Sequence, residues 1–169
     1  MEMGPRIFLG AESFFAGRGG IARLARLTAK ALREEAVAGR LDVSCLALSD
    51  EVPSNEFGIN ARTAKGSRVR FVYEANRAAL RCTHFVYDFL GMARAHCRIP
   101  LLRRPFMVWI CGVDVWENAA PHRIDWARRA NTLLSISNYT RERAELIHGG
   151  FEHAKVCWLG TETDEPAAA

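Results

Sequence analysis

Gly17, Arg18, Gly19 and Gly20 stand directly ahead of an amphipathic run that continues to Leu32. Glycine lets an anion approach the backbone with no side chain between them. A helix amino terminus offers unpaired N–H groups and about half a positive charge. Arg18 adds a charged donor suited to phosphate oxygens. The segment reads as a phosphate-binding turn, with a plain entry turn of positive-φ glycines as the alternative. Gly17, Gly19 and Ala22 also match G-x-G-x-x-A, the spacing of dinucleotide-binding turns, with Asp50 as the acidic partner after a second strand. That fingerprint follows its strand directly, whereas residues 11–16 intervene here, and no P-loop ending in GK[ST] is present.

A second group of reactive side chains follows two apolar runs. Tyr87 and Asp88 close the run 83–88; Asp88 has the chemistry to take a proton from a hydroxyl, or to cap the next helix. Cys111 and Gly112 close the run 104–112, and Asp114, Trp116 and Glu117 follow it. Asp114 suits orienting a hydroxyl, or capping its own loop. Cys111 and Trp116 also read as core residues. Glu12 and Ser13 lie in the loop after the first apolar run, and Ser137 with Asn138 opens a helix. The five cysteines and five histidines fall in no metal-ligating spacing and form no C-x-x-C, so neither a metal site nor a disulfide framework is expected.

Positioning these groups requires a scaffold, and the apolar pattern supplies one. Runs at 6–10, 41–49, 83–88, 104–112, 131–137 and 154–160 read as strands, nearly continuous in apolar residues, as strands buried on both faces must be. Between them lie helical patterns at 21–38, 67–81, 89–99, 123–130 and 137–150. In the second of these, Val69, Val72, Tyr73, Asn76 and Leu80 mark the expected inner face, and the polar segment 50–66 reads as a loop. The expected fold is a single-domain α/β structure, a doubly wound, mostly parallel, Rossmann-like sheet. Ligands of such sheets sit at the carboxyl ends of the strands.

With 169 residues, 49% of them hydrophobic and 25% charged, the chain suits one soluble domain. The net charge is +4, and three lysines leave the positive charge almost wholly to arginine, which fits anionic ligands or an anionic membrane surface, or equally a nucleotide-composition bias of the source genome. No basic run is dense enough to point to nucleic acid. Neither a secretory leader nor a membrane span is read from the sequence, so a cytoplasmic location is expected.

Four segments in order resemble the N-terminal half of GT-B fold glycosyltransferases, in particular glycosyltransferase family 4. GRGGIARLARLTAKAL resembles the family's glycine loop and first helix, and WICGVDVWE its H-G-x-[DE]-x-W turn. LLSISNYTRERAEL is similar to its S-x-[YF]-T-[RK] segment, and KVCWLGTETD to the strand entering the interdomain linker. The resemblance implies an acceptor-side domain over residues 1–160, with 161–169 opening a linker to a donor-binding C-terminal domain that lies elsewhere. It implies sugar transfer with retention from a UDP- or GDP-sugar donor to a sugar or lipid-linked acceptor, with no further cofactor and no metal. A basic, partly apolar face (Arg94, Arg98, Arg103, Arg104 with Ile99, Leu101, Leu102) would then meet the inner face of the cell membrane.

Residue by residue, the resemblance puts Gly19, Gly20 and Arg18 on the donor diphosphate and makes Asp114, Cys111 and Asp88 the candidates for catalysis. It puts Glu12, Ser13, Gly112, Trp116, Glu117, Tyr87 and Ser137 on the acceptor. Cys111 stands where many members carry histidine, and a thiol does not replace an imidazole as donor. Two other readings stand beside this one: a single-domain NAD-type Rossmann oxidoreductase, and a non-enzymatic nucleotide- or sugar-binding module.

Overall fold

A computed structural model describes residues 4–15, 18–54, 60–112 and 114–160. Its centre is a sheet of seven strands, β1 (Arg6–Ala11), β2 (Asp42–Ala47), β3 (Ala61–Thr63), β4 (His84–Tyr87), β5 (Phe106–Ile110), β6 (Thr132–Ser135) and β7 (Lys155–Val156). The spatial order is β3-β2-β1-β4-β5-β6-β7, and every neighbouring pair is parallel. Among the described residues five α-helices connect them: α1 (Gly20–Val37), α2 (Arg68–Ala78), α3 (Leu90–Ala93), α4 (Pro121–Arg129) and α5 (Asn138–His148). This is the doubly wound α/β fold expected from the apolar runs.

The central strands are apolar on both faces because both are covered. Phe8, Phe85, Tyr87 and Val108 belong to the larger buried cluster, which includes Phe71 and Ala75 of α2 and Trp126 of α4. Leu9, Ala11, Cys45 and Val86 belong to a second cluster with Ala25 and Ala29 of α1. Adjacent residues of one strand, such as Phe8 and Leu9, thus serve different cores.

Four features differ from the sequence reading, the first being α3, expected over 89–99 and only Leu90–Ala93 long. The buried face of α2 is Phe71, Ala75 and Ala78, while Val69 and Tyr73 are 81% and 62% exposed. Small alanines let the helix backbone lie close to the sheet, and only Phe71 needs a deep slot, so the bulkier residues sit outside. The segment 50–66 contains β3, which pairs with the outer edge of β2 through Cys45–Ala47. Three residues with Arg62 exposed in the middle carry too little pattern to announce a strand. The last strand is two residues long.

Tyr87 is fully buried, so its side chain is a core group and not part of an acceptor surface. Its hydroxyl lies 3.2 Å from His96 Nδ1, and His96 Nε2 lies 3.0 Å from the Arg104 carbonyl. A carbonyl only accepts, so Nε2 carries the proton and the Tyr87 hydroxyl donates to Nδ1. Burial holds His96 down to about 4, in the neutral state this arrangement needs. Among the described residues, no helix is long and apolar enough to cross a membrane.

Candidate functional site

Because all seven strands run the same way, the turns after β1, β4, β5 and β6 leave from one rim. The chain winds outward from β1 through β2 to one edge and from β4 through β5 to the other. The crevice between β1 and β4 is therefore the switch point at which such sheets bind ligands. Glu12 and Asp88 meet there: the Glu12 N–H donates to Asp88 Oδ2 at 2.8 Å.

The glycine turn opens on this rim. Gly19 has φ of +87°, and as the residue ahead of α1 it supplies no side-chain cap. A β-carbon added at Gly19 or Gly20 would meet nothing within 4 Å, so internal packing does not require glycine at either position. The first turn of α1 carries no acidic side chain, and Arg18 is exposed beside it. Arg23, also in that turn, donates to the Gly160 carbonyl at 3.2 Å. Gly17, which completes the G-x-G spacing, lies outside the described residues, as do Val113 and residues 161–169.

The loop between β1 and α1 is braced from within. Asp50 is 1% exposed; its Oδ1 accepts from the Ser13 hydroxyl and its Oδ2 from the Phe14 N–H at 2.9 Å. Ser13 is itself buried and its Oγ also accepts from the Phe15 N–H at 3.1 Å. Arg26 of α1 donates to the Phe15 carbonyl at 3.1 Å. Ser13 and Asp50 thus fix the path of the chain toward Gly19. Glu12, half-buried, accepts from the Ser49 hydroxyl through Oε1.

Asp114 has a similar bracing geometry. It is 2% exposed, with Oδ1 accepting from the Cys111 N–H at 3.0 Å and Oδ2 from the Leu90 N–H at 3.4 Å. One carboxylate thus ties the exit of β5 to the start of α3, the helix after β4. Burial raises its affinity for a proton, while the two N–H donors and the Arg123 guanidinium act against that rise. Both oxygens are committed to backbone donors, which makes Asp114 a positioning residue in this geometry.

Asp88 is fully buried, with Oδ2 paired and Oδ1 without a partner. Burial pushes its carboxyl well above the usual carboxylate range; the Glu12 N–H opposes that shift and the Glu12 carboxylate adds to it. The Cys111 thiol donates to the Asp88 carbonyl at 3.7 Å. Burial, then the Asp114 and Asp88 carboxylates, push the thiol upward, so it stays protonated and is no thiolate nucleophile.

Farther along the turn, Gly112 has φ of +90°, and a β-carbon there would come within 2.9 Å of Trp116 Cζ2. Trp116 is half-buried, 6.0 Å edge-on from the Tyr139 ring, with the Arg143 guanidinium 5.8 Å from its centroid. Arg143 also pairs with the exposed Glu117. Ser137 caps α5 by accepting from the Thr140 N–H at 3.1 Å. The rim therefore gathers Gly19, Gly20, Glu12, Asp88, Cys111, Gly112, Asp114 and Ser137 at strand ends. Beside Glu12 lies an open pocket of about 330 Å³, on whose wall are Arg68 and Arg123, both overlooked in the sequence. Their one signal was position: each falls in the first turn of a helix leaving this rim. Among the described residues, no group of three or more His, Cys, Asp or Glu side chains could hold a metal ion.

No protein-family model matches the sequence, and no curated protein matches it. Solved structures match in fold. HepE of Anabaena, in complex with UDP and glucose, superimposes with a TM-score of 0.65 at 14% identity, over 93% of this chain and 45% of HepE. HepE with UDP-glucose gives a TM-score of 0.65 at 15% identity, over 93% of this chain and 44% of HepE. An α-glucosyltransferase in complex with UDP-glucose and DNA containing an abasic site gives 0.57 at 11% identity, over 92% of this chain and 42% of the enzyme. At such identities the likeness establishes the fold: this chain is a Rossmann-like α/β domain of the kind found in these UDP-sugar-bound proteins. It spans less than half of their length.

Proposed function

We propose that the chain is the acceptor-side domain of a two-domain glycosyltransferase of the GT-B, family 4-like type, residues 1–160 forming the domain and 161–169 leading toward a donor-binding partner. The observation that carries this reading is the glycine turn: Gly19 and Gly20 face open space at an uncapped helix start, on the same rim as the Cys111–Glu117 turn. That the neighbours of matching fold are twice as long and bind UDP or UDP-glucose supports a donor half elsewhere.

The chemistry divides accordingly. Transfer from a UDP- or GDP-sugar builds negative charge on the leaving diphosphate. The N–H groups at Gly19 and Gly20, with Arg18, would meet part of that charge from across the cleft. The acceptor hydroxyl must be held about 3–3.5 Å from the anomeric carbon, which makes positioning the main task of this half. Asp114 serves it by locking the β5 exit to α3, and Gly112 by turning the chain under Trp116. Transfer with retention is part of the proposal. So is a peripheral contact with the inner membrane face through Ile99 and Leu101, which are 53% and 90% exposed, with Arg98 and Arg103 close in sequence.

The dinucleotide reading loses its acidic partner, since Asp50 spends both oxygens on Ser13 and Phe14. The test is an assay of nucleotide release from UDP-glucose and GDP-mannose by this chain alone and by the product of its reading frame extended past Ala169. The proposal expects a second α/β domain in that extension, turnover by the longer protein and none by the chain alone. A stop codon at that point, or NADH oxidation by the chain alone, would overturn it.

A further inference from the structure

The rim pocket is lined by groups from four directions: Glu12 after β1, Arg68 and Phe71 at the start of α2, Phe89 and Arg94 around α3, and Arg123 of α4. Its floor is apolar, with Phe71 buried, Met92 buried and Phe89 half-buried. Three arginines and one glutamate therefore line the same pocket, and the glutamate carboxylate already accepts from Ser49. Among the described residues none of the three arginines has a carboxylate within ion-pair distance, whereas Arg62 and Arg77, across α2, share Glu74 at 2.9 and 3.9 Å. Arg123 is half-buried and close enough to bear on the Asp114 charge, which fixes it near the β5 turn.

We propose that this pocket takes an anionic acceptor, one bearing a phosphate or carboxylate group next to an apolar moiety, with Arg68, Arg94 and Arg123 as its specificity-determining residues. This rests on the acceptor-side reading above. The arginines supply directional, charge-assisted donors to the anion. Phe71, Phe89 and Met92 take the apolar part. Such a mixed lining, a few placed polar groups on an apolar wall, is the usual make-up of a small-molecule pocket, and about 330 Å³ lies at the small end of that class. A single headgroup fits, with its apolar extension leaving past the exposed Val72 on α2. The anion is either that of a lipid headgroup or that of a soluble sugar phosphate, and the two share the recognition chemistry.

The test measures binding of hexyl phosphate, inorganic phosphate and hexanol to the 169-residue chain by calorimetry. Hexyl phosphate should bind at least about tenfold more tightly than either of the others, because only it uses both parts of the lining. Arg68→Gln and Arg94→Gln, both at exposed positions, should each weaken it by about five- to tenfold with unchanged melting temperature. Arg81→Gln, at the opposite rim of the sheet in a pocket shared with Arg6 and Asp42, should leave it unchanged. Co-sedimentation with phosphatidic acid vesicles that is lost in the Arg68/Arg94 double variant assigns the anion to a lipid headgroup. Binding of hexyl phosphate without co-sedimentation assigns it to a soluble acceptor. Equal affinity for hexanol and hexyl phosphate, or wild-type affinity in the double variant, overturns the proposal. Failure here together with nucleotide-sugar turnover by the longer protein would remove the anionic acceptor and leave the transferase reading standing.

Discussion

Asp88 makes stability depend on pH in a direction opposite to that of an ordinary salt-bridged carboxylate. Its folded-state carboxyl is more basic than in the unfolded chain, because burial outweighs the opposing backbone N–H groups of Glu12, Asp88 and Phe89. The native state therefore holds a proton that the unfolded state releases. The stability this gives is complete below the unfolded value near pH 4 and is lost as pH rises toward the folded value. The slope reaches about 1.4 kcal/mol per pH unit while the native carboxyl is protonated and the unfolded one is not. Asp88→Asn keeps an acceptor for the Glu12 N–H and removes the titration. Urea unfolding of both proteins at about pH 5, 6 and 7 should show the variant gaining on wild type with each step, up to that slope. His96, held down to about 4 by burial, works the other way: its contribution is present above its unfolded value and lost as pH falls. It is common to both proteins and cancels in the difference. Parallel stability curves would refute the reasoning.

Three further substitutions probe the rim and its support. Asp114→Ala orphans the Cys111 and Leu90 N–H groups and should cost about 2–4 kcal/mol, read by urea unfolding, with Asp114→Asn keeping one acceptor and costing less. Gly112→Ala forces a side chain into φ of +90° and against Trp116, and should cost about 1–3 kcal/mol, with a shift in tryptophan fluorescence. Tyr87→Phe leaves His96 Nδ1 without its donor and should lower stability by about 1–2 kcal/mol. In a chain of 169 residues that is a fall of roughly 2–8 °C in Tm by calorimetry. It should leave ligand binding at the rim unchanged, since the hydroxyl faces the interior.

What the sequence makes legible follows from how each feature is encoded. The run Phe106–Ile110 is apolar at every position because both faces of β5 are covered, and that alone reads as a buried parallel strand. The glycine turn reads from residue type, because few side chains tolerate its conformation. β3 did not read, because its existence depends on the free edge of β2 and not on its own pattern. The inner face of α2 was misassigned because hydrophobicity favoured Val69 and Tyr73, whereas close approach to the sheet favoured Ala75. Asp114 announced a carboxylate on a turn, but its partner Leu90 is 24 positions away and becomes a neighbour only once β4 and β5 pair. The pocket was hidden for the same reason: Arg68 and Arg123 lie far apart along the chain, Arg94 reads with the basic face around Arg98, and the three line one pocket only through strand order.

The most direct test of the central claim is a nuclear magnetic resonance titration of the isotopically labelled chain with UDP, and separately with NADH, each to millimolar concentration. The acceptor-side reading predicts that UDP shifts the Gly19 and Gly20 amides first, in weak and rapid exchange, and that NADH does not. Shifts centred on Asp50 and the end of β2 with NADH, and none at Gly19 or Gly20 with UDP, would contradict it.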